Sequence, residues 1–177
     1  SLLAEADSFE DVIPEVLSAL RKSLVAEACL LWLVDPSEDQ LTCVETDSID
    51  NSIQPFLDIS RKQRFKSGAG LPGSVWKELR PIWFEDIRNT VGFARAEAAT
   101  TCRLISGVAT PIVVGAKFKG VIELYTTRQL TRDPELLSML KTIGNDIGQF
   151  IRRRRLDAMF RDEEARKTAI LQSALDC

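Results

Sequence analysis

From Asp133 onward the chain offers one long helix-permitting stretch. Asp133-Pro134-Glu135 is a helix start: a capping carboxylate, a proline where its missing N–H costs nothing, then an acid at the positive end of the dipole. Leu136, Leu140, Ile143, Ile147 and Phe150 recur every three or four residues, and neither Pro nor Gly occurs from Gln149 to Cys177. A helix over residues 134 to 172 would be about 60 Å long, roughly twice the diameter of a small domain. It must project from the globule, so its apolar stripe calls for a partner. A parallel second copy is the simplest one. Leu136, Leu140, Ile143, Ile147 and Phe150 are the expected dimer residues. After Phe150 the stripe breaks at Arg154 and Asp157, and Leu156, Phe160 and Ile170 resume a thinner one.

Upstream the patterning is mixed. Phe9, Ile13, Val16, Leu17, Leu20 and Leu24 mark one helical face, with Ser8 or Asp11 as its cap. Pro14 is awkward there unless it lies near the first turn. Residues 29 to 34 read as a buried strand ending at Asp35-Pro36-Ser37, and residues 41 to 46 as the returning strand. A turn centred near Ser37 sets Cys43 opposite Trp32, so no Cys29–Cys43 disulfide is expected. Residues 52 to 63 read as a weak helix, 81 to 86 as a short strand and 93 to 103 as a helix. Residues 107 to 114 and 118 to 125 form a hairpin around Gly115-Ala116-Lys117. Pro111 cannot donate to a ladder and should sit at an edge or an irregularity. Hairpin-linked strands with helices laid on them make an α+β fold with a mainly antiparallel sheet.

Composition excludes several functions. Apolar residues are 45% and charged residues 28% of the chain, the mix of a folded soluble domain, and no run of about 18 apolar residues exists to cross a membrane. The first five residues lack the basic start and apolar run of a secretion signal. A net charge of -3 argues against nucleic acid. The basic run Arg152-Arg153-Arg154-Arg155 reads as a solvated helix or as a contact for a partner or an anionic lipid. The chain has no histidine, which removes a His-based triad, His-ligated haem and a His metal site. Cys29, Cys43, Cys102 and Cys177 have no metal-ligand spacing and fit a reduced, cytoplasmic protein. No paired carboxylates or nucleophile–base pair converge, so no catalytic constellation and no cofactor is expected.

Five phrases in order resemble the GAF family of ligand-sensing domains. Gly68-Ala69-Gly70-Leu71-Pro72-Gly73-Ser74-Val75-Trp76 resembles its G-x-G-L-P-G-R-V-W, with Ser74 where Arg is usual. Pro81-Ile82-Trp83 with Asp86 resembles P-x-W-x-x-D, and Phe93-Ala94-Arg95-Ala96-Glu97-Ala98-Ala99 resembles F-x-R-A-x-x-A. Gly107-Val108-Ala109-Thr110-Pro111-Ile112 and Gly120-Val121-Ile122-Glu123 resemble the last two strands, and residues 143 to 151 resemble the exit helix of bacterial sensor proteins. The match runs over residues 9 to 155. It implies a GAF domain over residues 1 to 155 and a linker helix over 156 to 177. Residues 170 to 177 resemble the opening of a PAS domain, which implies a piece of a larger sensor kinase or cyclic-dinucleotide protein.

The resemblance also implies a small-molecule pocket between the sheet and residues 65 to 105, and a homodimer paired through its N- and C-terminal helices. The tentative ligand residues are Trp76, Trp83, Asp86, Phe93, Arg95 and Cys102. Trp76, Trp83 and Phe84 are core or pocket wall. Arg95 clamps an acidic ligand group or forms an ion pair with Asp86 or Glu97. Cys102 is a buried thiol or a redox group; Arg103 follows it where bilin-binding relatives carry His, so a bilin is not expected. The glycine loop at 68 to 73 lacks the Lys-Ser/Thr of a phosphate cradle and reads as a tight turn. The cyclic-nucleotide pattern N-K-x-F-x-D-E is missing. A methionine-sulfoxide-reductase activity would need further cysteines near Cys102. The expected function is a regulatory sensor that relays through its exit helix; the alternative is a ligand-free spacer.

Overall fold

The central strand is apolar on both faces and therefore needs cover on both. In β1 (Ala28–Asp35), Ala28, Leu30 and Trp32 face one side while Cys29 and Leu31 face the other, all buried. The computed structural model describes residues 8 to 177; the reading of the first five residues as no secretion signal lies outside them. β1 pairs with β2 (Gln40–Ser48) with Trp32 opposite Cys43 as expected, and a register shift between Leu31 and Trp32 sets Cys29 opposite Asp47. All four cysteines are free. The sheet is completed by β3 (Arg64–Phe65), β4 (Ile82–Phe84), β5 (Ser106–Val114) and β6 (Lys117–Thr126). Its order is β3-β2-β1-β6-β5-β4, and every neighbouring pair is antiparallel. The α+β fold with an antiparallel sheet stands as expected. β4 pairs only as far as Ala109, so Pro111 lies where β5 has no strand on that side, next to a register shift at Ile112/Val113.

Helices cover the two faces differently. α1 (Phe9–Ser23) buries Ile13, Leu17 and Leu20 on the face that carries Cys29 and Leu31. Pro14 lies inside α1 and removes one intrahelical bond at about 3 kcal/mol. Each buried Ile or Leu is worth about 1.5–3 kcal/mol, so tertiary packing outweighs the proline. The opposite face is covered by α2 (Gln54–Lys62), α3 (Gly70–Glu78) and α4 (Ala96–Thr101). The turn before α3 is tight, as expected: Gly68 has φ +84°, and a Cβ on Gly73 would lie 2.2 Å from the Lys66 carbonyl oxygen. α4 is shorter than the expected 93 to 103. Arg95 precedes it outside helical geometry at φ -108° and ψ 15°, and Arg103, just past the Cys102 cap, turns the chain away at φ +58°.

The exit helix, α5 (Pro134–Leu175), has 42 residues and is about 63 Å long at 1.5 Å per residue. The Asp133 side chain accepts from the Glu135 N–H at 2.8 Å, as the start signal predicted. Its expected dimer stripe lies against the body of the same chain. Leu136, Leu140, Ile147 and Phe150 are buried, Ile143 is half-buried, and all five pack on the sheet and α1 within one chain. Phe150 also lies against Phe9, ring centroids 6.1 Å apart. The stripe of α1 faces the same cluster, so the apolar stripes of the two terminal helices are used inside the monomer. Apolar packing ends at Ile151, Arg154 is still half-buried, and α5 continues unbroken with Leu156, Met159, Phe160, Ile170, Leu171 and Leu175 exposed. No described helix is long and apolar enough to cross a membrane.

This placement changes what a charge in the stripe does. Ile147→Asp would bury an unpaired carboxylate and is expected to lower the unfolding free energy by about 3 kcal/mol or more. Urea denaturation checks it, and the loss should not depend on protein concentration. Parental stability in the variant would contradict the placement.

Candidate ligand-binding site

A carboxylate interrupts the apolar run of β6: Val121-Ile122-Glu123-Leu124-Tyr125. Alternation turns Val121, Glu123 and Tyr125 toward α2, α3 and α4, where Glu123 is 0% exposed. An unpaired buried carboxylate would be untenable, and Arg95, 1% exposed, answers it. The guanidinium donates to both carboxylate oxygens, Nη2 to Oε1 at 2.8 Å and Nη1 to Oε2 at 3.0 Å. Trp32 Nε1 donates to the same carboxylate at 2.8 Å. Arg95 also donates to Ser60 Oγ and Tyr125 Oη, each at 3.0 Å. The rings of Trp32, Phe56, Phe65, Phe93 and Tyr125 surround its Cζ at 5.1–5.8 Å. Burial alone would lower the Arg95 pKa, but the Glu123 carboxylate beside it holds it above the ordinary value. Burial pushes the Tyr125 hydroxyl well above its usual range. Arg95 is thus a structural side chain, and its partner is Glu123, neither Asp86 nor Glu97.

A groove of about 730 Å³ opens beside this cage. Phe93 belongs to both, for its ring lies 5.1 Å from the Arg95 Cζ and also lines the groove. The α3 wall supplies Leu71, Ser74 and Glu78, the β4 wall Trp83, Phe84 and Glu85, and the loop wall Thr90, Val91 and Gly92. Arg132, one residue before the Asp133 cap, completes the rim. The Ser74 hydroxyl donates to the Gly70 carbonyl at 2.7 Å. With apolar rings at the base and both signs of charge at the rim, the groove suits a small polar molecule with an apolar part.

The structure divides the six tentative ligand residues. Trp83 and Phe93 line the groove. Asp86 shapes it from behind: its carboxylate accepts from the Arg88 N–H at 3.0 Å and pairs with the Arg88 side chain at 2.8 Å. The Arg88 side-chain hydrogen bond holds the Asp86 pKa below the usual range, and the Arg88 N–H contact caps the 3-10 turn Ile87–Asn89. Trp76 stacks on Phe118 at 5.1 Å, away from the lining. Arg95 belongs to the ion pair. Cys102 is buried in the core, where burial raises its thiol pKa and keeps it protonated at neutral pH. Burial likewise pushes the Cys43 thiol up to about 12. Among the described residues no three Cys, Asp or Glu side chains converge as metal ligands. The sequence reading missed Glu123 and Arg132. A carboxylate inside an apolar strand signalled the first, and nothing local signalled the second.

The buried pair makes a sign-definite prediction. Glu123→Leu leaves the Arg95 charge unpaired and should cost about 3–5 kcal/mol. The double variant Arg95→Met/Glu123→Leu should recover most of that loss, as denaturant titration of the three proteins would show. An equal loss in single and double variants would contradict the pairing energetics.

Known proteins place the fold. The domain from a phosphoenolpyruvate-protein phosphotransferase of Coxiella burnetii superposes with a TM-score of 0.75 at 18% identity, covering 89% of this chain and 90% of that one. A domain of a putative two-component sensor histidine kinase from Sinorhizobium meliloti 1021 gives 0.67 at 18%, covering 88% and 99%. Free methionine-R-sulfoxide reductase from Neisseria meningitidis, solved with its substrate, gives 0.71 at 13%, covering 88% and 85%. These likenesses concern the fold alone. No curated protein matches the sequence. The family model described as GAF domain matches residues 6–152, most of the chain, and the chain therefore belongs to the GAF family.

Proposed function

We propose that this GAF domain is the regulatory sensor of a cytoplasmic signalling protein, taking a small polar molecule in the groove and relaying its presence through the exit helix. The observation that carries this reading is the double placement of two groove residues. Trp83 lines the groove and also packs against the cluster beneath α1 and α5. Arg132 lines the groove one residue before the α5 cap. An occupant that holds these two side chains differently from water acts directly on the root of the exit helix. Such an occupant shifts an equilibrium only by its difference in affinity for two helix arrangements. A regulatory role fits the lining better than a thiol-based reductase role, since no cysteine is among the groove's lining residues. The next domain, PAS-like by the resemblance of residues 170 to 177, would read the helix.

Native mass spectrometry of gently purified protein, followed by denaturing release, tests the sensor. The expected result is a retained small molecule that is lost from Trp83→Ala. An empty protein whose melting temperature no metabolite mixture raises would favour the second reading, a ligand-free spacer. One observation supports that alternative: Arg95 and its five surrounding rings fill the space between the sheet and α2 to α4.

The relay needs a second copy, and the exposed part of α5 is the surface we assign to it. Leu156, Met159, Phe160, Ile170 and Leu171 are 55–66% exposed on a projecting helix. Replacing Leu156 and Phe160 together by Lys is expected to convert a dimer to a monomer without changing stability, because neither touches the globule's core. Sedimentation equilibrium with circular dichroism checks this; a monomeric parent, or a dimer that survives both substitutions, would refute the pairing.

A further inference from the structure

On the opposite side of the sheet edge lies a second cavity, of about 550 Å³, at the root of the exit helix. It exists because β4 pairs with β5 only from Gly107 to Ala109, leaving Thr110 to Val114 without a strand on that side. Its floor is apolar: Pro111 and Val113 from β5, Pro81 and Leu79 from the α3–β4 turn, and Leu137 from α5. Leu79 is held at φ 51° and ψ 32°, a left-handed position that favours glycine, and its side chain is 53% exposed at the cavity. A leucine tolerated at that conformation supplies apolar wall where glycine would supply none. The rim is polar and of one sign. Lys141 and Arg80 stand on it with Ser138 and Asn145, and no carboxylate is among the lining residues. Arg80 pairs with Glu78 outside the cavity; no ion pair engages Lys141 among the described residues.

We infer that this cavity is a binding site for an organic anion with an apolar body, a carboxylate on an aliphatic or aromatic frame, distinct from the groove proposed above. The frame lies on Leu79, Pro111 and Leu137, and the carboxylate meets Lys141 and Arg80. Leu137, Lys141 and Asn145 are spaced by four residues, so one stripe of α5 faces the occupant. A few residues on, the same helix crosses β5 at closest range: a Cβ on Gly148 would come within 2.3 Å of Val114. An anion in the cavity therefore clamps the first turns of α5 to β5 and to the α3–β4 turn, just before the helix leaves the globule. This conclusion stands or falls independently of the groove.

Decanoate is the probe, with decyltrimethylammonium as the cation of matching chain length and acetate as the anion without an apolar body. Calorimetry of the full chain should give saturable binding of decanoate alone. Lys141→Glu should weaken it by about fivefold or more, since a reversed charge removes one attraction and adds one repulsion. Lys141 is exposed, so the variant's unliganded melting temperature checks that folding is kept. Photolabelling with a diazirine-bearing decanoate should mark residues 79–81, 110–113 or 137–145. Equal binding of the cationic chain, unchanged affinity in Lys141→Glu, or labelling confined to residues 83–93 would each overturn the site.

Discussion

One ion pair organises the core. Glu123 on β6 and Arg95 before α4 are both buried, and neither is tolerable without the other. Their geometry is two-pronged, so it fixes the guanidinium and, through the side chain, tethers the Arg95 backbone. That backbone ends the loop over residues 87 to 95 and starts α4. The pair therefore sets where the loop stands, and the loop is one wall of the groove. Trp32 and Ser60 extend the network to β1 and α2. Such a network has no partly satisfied version: among the described residues no buried side-chain polar atom lacks a partner.

The two faces of the sheet carry different duties. One holds the ion pair and opens at its edge into the groove. The other binds α1 and the first part of α5 through apolar contacts. Trp83, in a three-residue strand at the sheet edge, reaches both. Packed interiors do not deform smoothly, so a shift at such a residue moves whole elements rather than dissipating. A short edge strand is a fitting place for it, because few ladder hydrogen bonds oppose its movement.

Much was legible in the chain. The pairing of Trp32 with Cys43 followed from a turn centred near Ser37, whereas the register shift at Leu31/Trp32 left no mark in the sequence pattern. The exit helix followed from its cap and from the lack of breakers. The α4 boundaries did not: Ala94 and Arg95 have good helix propensity, yet residues 93 to 95 stand outside the helix, where Arg95 reaches Glu123. Cys102 and Trp76 lie in the segments named as pocket-forming, yet they pack elsewhere. Proximity in sequence says which loop a residue is on, not which side of it faces inward.

The sequence alone determined the family, the antiparallel α+β sheet and a helix too long for the globule, since these rest on local periodicity, turn chemistry and motif order. Tertiary structure decided what each stripe and charge was for. Leu136, Leu140, Ile147 and Phe150 look the same whether they meet a sheet or a second helix; only the position of β5 beneath them settled the matter. Arg95 looks the same whether it awaits a ligand or a carboxylate 28 residues away, and only the pairing of β6 beside β1 brought Glu123 to it. A stripe or a charge records the need for a partner, and the partner is fixed by contacts that are distant in sequence.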